Sequence, residues 1–235
     1  FFMSAHASKR DFVNAVRAGA DDCLLKPIDV EDLEARLVAA ARVVRAYRSL
    51  ADQNAGLLHD SETLFRAART DPLTGLGNRL RLEEELETLQ AEVSRYARRV
   101  SLAMCDIDAF KRYNDRYGHP AGDDALRRIA QAIRSSLRRA DRVYRYGGEE
   151  FLAVLSEQAP EYAASAMNRA RVAVERLGIA HAPGAKHAVV TVSVGLASVS
   201  REGDPSLRAA IARADRALYR AKATQGTLAI EPAKT

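Results

Sequence analysis

Arg145-Tyr146-Gly147-Gly148-Glu149-Glu150-Phe151 is the stretch whose reading decides the fold. β-prone segments flank it, Arg142–Tyr146 before and Phe151–Leu155 after. Glycine takes positive φ without steric cost, so a Gly-Gly pair between two such segments predicts a hairpin closed by a tight two-residue turn. Two carboxylates, Glu149 and Glu150, then stand at the tip or just past it. Such acids suit a hard cation, and the small Gly147 and Gly148 leave room for a phosphate chain to approach the backbone. By itself the pattern equally describes an exposed hairpin whose acids are only solvated.

A second acidic strand end tips the balance. Val100 to Cys105 is short and mostly apolar, which predicts a buried strand, and it runs into Asp106-Ile107-Asp108. If that strand lies beside the hairpin, Asp106 and Glu149 converge on one ion.

Working outward, the 235 residues are 29% charged and 47% hydrophobic, ordinary globular material with enough length for one or two domains. No apolar run is long enough to span a bilayer, and no signal peptide pattern is present. The two cysteines, Cys23 and Cys105, lie in apolar runs and predict buried free thiols, in keeping with a reducing cytoplasm. A net charge of +5 suits a protein that handles polyphosphates and is too mild and dispersed to indicate nucleic acid.

Phe1 to His6 predicts a strand, Asp11 to Ala18 a helix, and the apolar run before Lys26-Pro27 a second strand, an order that suggests a parallel sheet. From Val30 to about Arg69, apolar or small residues at Leu33, Leu37, Ala40, Val44, Tyr47, Ala51, Leu58, Phe65 and Ala68 step by fours and threes, with Asn54 and Ser61 filling the gaps. That is the seam of a left-handed coiled coil of about five heptads, and its helix spans roughly 60 Å. A long surface helix packed on its own domain is the competing reading. Pro72, Gly75 and Gly77 then break the helix within Asp71-Pro-Leu-Thr-Gly-Leu-Gly-Asn-Arg79. Helices follow from Leu80 to Tyr96, Pro120 to Arg138, Pro160 to Leu177 and Ser206 to Ala223, with a central strand at His187–Gly195.

These motifs together resemble the GGDEF family of diguanylate cyclases, in its GGEEF form, from Asp71 to about Ile230. The resemblance implies an α/β catalytic domain with a mostly antiparallel sheet flanked by helices. It implies condensation of two GTP into cyclic di-GMP with release of two pyrophosphates, using Mg²⁺ or Mn²⁺. Asp106, the carbonyl of Ile107, Glu149 and Glu150 would hold the metal, Glu149 would also act as base, and Lys111 would stabilise charge on the phosphates. Asn114 and Asp123 would read guanine, a pairing also reasonable from the donor pattern of its edge. His119, Gly147, Gly148, Arg145 and Lys222 would line the substrate. After Lys222 the chain departs from the family, which continues with glycine, arginine and asparagine; here Gly226 is displaced by one and the arginine and asparagine are absent, so either a lower triphosphate affinity or compensation by another arginine such as Arg145 is expected. Arg138-x-x-Asp141, six residues before Gly147, matches the family's product-inhibition site. Its bland reading is a surface ion pair worth little.

The N-terminal region resembles the last part of a response-regulator receiver domain (flavodoxin-like), with Ser4 as switch hydroxyl and Lys26 as the phosphoryl-contacting lysine. The phosphoacceptor aspartate of that family lies on an earlier strand, so the chain is expected to be a fragment of a longer protein. The expected organisation is a truncated receiver at 1–45, a helical stalk at 30–70 continuous with its last helix, and the catalytic domain at 71–235. Expected partners are a second copy through the stalk, an upstream histidine kinase, and cyclic di-GMP as feedback inhibitor. A degenerate domain that binds GTP or cyclic di-GMP without turnover is the alternative, and a coiled-coil scaffold without nucleotide binding a third.

Overall fold

Alternation along one strand explains most of the architecture. The computed structural model describes residues 1–5, 8–96, 98–199 and 206–231, in two units, Phe1–Thr63 and Leu64–Thr235. In β3 (Val100–Ile107) Ala103, Cys105 and Ile107 enter one core while Leu102 and Met104 enter another. A strand buried on both faces needs a layer of helices on each. The first core takes α4 (Phe110–Tyr117), α5 (His119–Ser136) and α6 (Pro160–Glu175), through Phe110, Ile129, Ile133 and Met167. The second takes α3 (Arg79–Tyr96) and α7 (Leu207–Thr224), through Leu82, Val93, Ala214 and Leu218.

The sheet order is β4-β5-β3-β6-β7, with β4 (Arg142–Arg145), β5 (Glu150–Ser156), β6 (Val192–Val199) and β7 (Leu228–Glu231). Every pairing is antiparallel except β6 with β7, so the expected mostly antiparallel sheet flanked by helices is what the domain has. Gly195 of β6 lets α7 lie directly on the sheet, because a Cβ there would meet Ala214 O and Leu218 N at 2.1 Å each.

In the N-terminal unit β1 (Phe2–Ser4) pairs in parallel with β2 (Cys23–Leu25), and α1 (Lys9–Arg17) connects them, its first turn capped by the Ser8 hydroxyl accepting from Asp11 N at 3.1 Å. The Lys26–Pro27 peptide is cis. The predicted first strand ran to His6, which lies outside the described residues. Then α2 (Val30–Ala68) runs for 39 residues, about 58 Å at 1.5 Å per residue, and none of its residues is buried.

Four sequence expectations need correction. The hairpin is not closed by a two-residue turn: Tyr146–Glu149 form a loop in which Tyr146 N and Gly147 N both donate to Glu150 O, at 2.8 and 3.3 Å. Neither Gly147 nor Gly148 adopts positive φ, because a loop this long reverses the chain without the primed-turn geometry. The central strand begins at Val192, five residues later than expected, because residues 187–191 belong to the loop that Val190 N and His181 N pin to Ile179 O and Ala188 O. Cys23 is only half-buried, whereas Cys105 is buried and its thiol is pushed up to about 12 by loss of solvent and by the neighbouring Asp106 charge.

Candidate active site

The helix-breaking turn ahead of α3 is hooked to the hairpin. Asp71 Oδ1 accepts from Thr74 N at 2.8 Å and Thr74 Oγ1 at 2.7 Å, and Asp71 N donates to Leu76 O at 2.8 Å. Its other oxygen lies 3.1 Å from Arg145 Nη1. Arg145 Nη2 in turn donates to Gly148 O at 2.7 Å. Burial alone would raise the Asp71 carboxyl; the Thr74 hydrogen bonds and the Arg145 charge outweigh it and hold the group low. Arg145, expected to replace a phosphate-binding arginine, is thus engaged with Asp71 and the glycine loop.

The acids meet as the strand phases dictate. Asp106 on β3 stands opposite Glu150 on β5 and opposite Ser193 on β6. Like Leu102 and Met104, Asp106 is on the α7 face, and so is Glu150, which is in phase with Leu152 and Val154. Glu149 lies in the loop, where its carbonyl accepts from Ile107 N at 3.4 Å. All three carboxyls are raised, in each case first by burial. Asp108 adds to the effect at Asp106, and Asp106 adds to it at Glu149 and Glu150, while Lys222 opposes it at all three. A raised carboxyl binds its proton more readily in the folded state, so its contribution to stability is present in acid and lost as pH rises through the raised value. Each charge therefore weighs against the others, and Lys222 offsets part of that repulsion.

The oxygen set fits a divalent cation. Lys222 Nζ, itself a cation, bonds to Asp106 Oδ1 and donates to Ile107 O at 3.0 Å, the two atoms expected to hold the metal. Among the described residues no three acidic, histidine or cysteine groups cage an ion alone. Mg²⁺ needs no such cage, since it takes one or two carboxylates together with other oxygens, phosphates above all. Beside the acids Gly148 faces open space, whereas a Cβ at Gly147 would press on Glu150 Oε2 at 2.7 Å.

Sequence reasoning missed Asp108, which is buried and ties the site together. Its carboxylate accepts from Thr191 Oγ1 and Ser193 Oγ at 2.7 Å each and from Gly226 N at 2.8 Å, and its carbonyl lies 3.0 Å from His181 Nε2. The signal was present as a second acid two residues past Asp106, but only the sheet brings Thr191 and Ser193 to it. The turn around it is left-handed on both sides: Ala109 has φ 51°, and Gln225 and Gly226 have φ 51° and 60°.

No side chain caps the first turn of α4, whose N-terminal amides and dipole favour an anion. Lys111 stands exposed in that turn. Asn114 Oδ1 is buried without a partner, packed against Gly122, where a Cβ would lie 1.9 Å from it. His119 and Asp123 are exposed near the start of α5.

The other predicted residues belong to other elements. Arg138 is exposed, but Asp141 is buried in the α5–β4 turn, where it accepts from Arg138 N and Gln158 Nε2 at 3.1 Å each. Ser4 and Lys26 end neighbouring strands, with Lys26 N donating to Ser4 O at 2.9 Å.

Comparison with known proteins agrees with this geometry. Response regulator PleD of Caulobacter vibrioides is 36% identical over 212 residues, 90% of this chain and 45% of the relative. Diguanylate cyclase DgcP of Pseudomonas aeruginosa is 41% identical over 172 residues, 73% of this chain and 25% of the relative. The chain thus spans less than half the length of either. The coiled coil and GGDEF domain of DgcB from Caulobacter crescentus, solved in complex with c-di-GMP, superposes with a TM-score of 0.68 at 29% identity, covering 85% of this chain and 99% of that one. The family described as "Diguanylate cyclase, GGDEF domain" matches residues 68–227, the span that holds β3 to β6, the acids and Lys222, and the chain belongs to that GGDEF family.

Proposed function

We propose that the domain, in its GGEEF form, condenses two GTP molecules into cyclic di-GMP and releases two pyrophosphates. The observation that carries this reading is the meeting of Asp106, Glu149, Glu150 and the Ile107 carbonyl beside the uncapped start of α4. Asp106, Ile107 O, Glu149 and Glu150 are the groups that would hold Mg²⁺ or Mn²⁺. When bound, the ion supplies charge neutralisation to the phosphate oxygens. The α4 amides and Lys111 receive the phosphates, in the open room beside Gly148. The buried Asn114 oxygen, left without a donor, accepts from a guanine edge, and Asp123 takes the remaining guanine N–H. Glu149 is the carboxylate assigned to take the proton of an attacking 3′-hydroxyl, and burial and Asp106 raise its basicity in that direction.

One domain holds one GTP, so two domains must face each other, and the exposed α2 seam of Leu37, Val44, Tyr47, Leu58 and Phe65 supports a parallel dimer that brings them together. Residues 1–45 are read as the end of a receiver domain that answers a histidine kinase, with Ser4 and Lys26 as its switch residues. Support comes from the parallel β1–β2 pair and from the 212-residue match to a response regulator. Arg138 and Asp141 form the product-inhibition site, where Gln158 must yield Asp141 to a guanine.

The test is incubation with GTP and Mg²⁺ followed by product analysis. The native chain forms cyclic di-GMP, while Asp106→Asn and Glu149→Gln retain the circular dichroism of the folded protein and lose turnover by about a thousandfold. A folded Asp106→Asn protein with near-native turnover overturns the reading.

A further inference from the structure

Lys222 sits where a metal ion belongs. Its ammonium contacts Asp106 Oδ1 and Ile107 O and lies 3.6 Å from Asp108 Oδ1, with the lysine and Asp106 side chains 28% and 17% exposed. An ammonium and a divalent ion cannot share this oxygen pair. Mg²⁺ requires its oxygens at about 2.0–2.1 Å in near-octahedral geometry, and two cations at contact distance in a half-buried pocket repel strongly.

We propose that Lys222 is the resident cation of this site, and that divalent metal and lysine are alternative occupants of one oxygen pair: metal loading expels the ammonium, and the phosphates of the incoming nucleotide receive it. The inference rests on the metal reading above and adds an exchange to it. The lysine sits in α7, packed on the sheet and anchored just past its end, so the exchange is a swing of the side chain alone. Gly195 sets α7 against the sheet. Past the helix end, Gly226 N is held by Asp108 at 2.8 Å and Gly226 O by Arg171 Nη1 at 2.8 Å. Asp108, fixed by Thr191, Ser193 and Gly226 N, stands 3.6 Å from the ammonium and holds it less closely than Asp106 and Ile107 O do.

Two consequences follow. Without metal, Lys222 neutralises part of the charge of three neighbouring acids and keeps the carboxylates assembled. With metal, the freed ammonium is short of partners and the phosphates supply them, so metal and nucleotide each raise the affinity of the other by the same factor.

The experiment uses the whole chain without nucleotide. Reductive methylation of lysines, read by mass spectrometry, labels Lys222 slowly in the metal-free protein and about fivefold faster at saturating Mg²⁺, with Lys111 and Lys186 unchanged. A non-hydrolysable GTP analogue added to the Mg²⁺-loaded protein slows Lys222 labelling again. In parallel, Mn²⁺ binding is followed by electron paramagnetic resonance. Lys222→Met binds Mn²⁺ about tenfold more tightly than the native chain, whereas Lys111→Met, which removes an equal charge from the same cleft, changes affinity less than about twofold. Equal tightening in both variants reduces the effect to general charge and overturns the proposal. So does Mn²⁺ binding with unchanged Lys222 labelling, which leaves the metal reading intact. If none of the proteins binds Mn²⁺, even with nucleotide, the metal reading itself fails and the exchange with it.

Discussion

Helices α2 and α7 carry similar apolar spacing and meet opposite fates. In α7 Leu207, Ala210, Ala214, Ala217, Leu218 and Ala221 are all buried, and the sheet beneath accepts them. In α2 Leu33, Leu37, Ala40, Val44, Tyr47 and Ala51 step by fours and threes just as regularly, and not one residue of the helix is buried. The difference lies in side-chain size and in what is opposite. Alanines in α7 let it approach a glycine-bearing strand, whereas the larger residues of α2 stand out from the helix. A stripe of this kind is a core when the chain supplies its partner and an interface when another chain must.

Substitutions can break this comparison, beginning with the one of largest effect. Gly195→Ala drives a methyl into the α7 backbone, which unlike a side-chain tip cannot step aside. It should destabilise the domain by about 3 kcal/mol, the upper end for overpacking, and urea denaturation measures this directly. Leu37→Glu together with Val44→Glu should leave that denaturation midpoint unchanged, because neither residue is buried. Sedimentation should then show monomers, with turnover reduced about tenfold or more at equal protein concentration. A fully active monomer would contradict the two-domain mechanism.

Smaller changes sharpen the contrast. Arg138→Ala, in the exposed turn after α5, should alter neither stability nor initial rate and should relieve inhibition when velocity is measured against added cyclic di-GMP. Superimposable curves for the two proteins would reduce Arg138 to a solvated charge. Gln225→Gly should stabilise the protein by about 1 kcal/mol, because Gln225 caps α7 at φ 51° and ψ 150°, a region that favours glycine. A loss of stability there would mean that the glutamine side chain contributes more than the backbone strain costs.

Legibility in the sequence followed the range of the forces involved. The apolar run to Asp106, the flanks of the hairpin and the long helix of α2 are local patterns, and each appears in the structure near its expected position. What local pattern did not carry was partnership. The sequence set Asp106 and Glu149 toward one ion, and only the register shows that Glu150 faces Asp106 across the strands while Glu149 stands in the adjoining loop. Arg145 looked free to bind phosphate until the fold brought Asp71 to it across 74 residues. Strand β7 is four residues long and lies parallel to β6, entered through the turn that Asp108 holds at Gly226 N and tied at its far end by Arg216 and Arg220 to Glu231.

The pairing of Asp106 with Glu150 also says which parts of the domain an engineer can lengthen. Facing acids depend on the phase of two strands, and a strand has only two phases. Deleting one residue inside β5 would rotate Glu150 toward the α5–α6 side and dismantle the site, however well the rest of the chain folded. The connection from α6 to β6, by contrast, makes one excursion and returns to the same sheet, so a residue added at its exposed Pro183–Gly184 tip changes a path length and no phase. Tolerance to insertion should therefore fall sharply between the loop tips and the strands, and a scan of single-residue insertions would trace the sheet's register through the surviving activity alone.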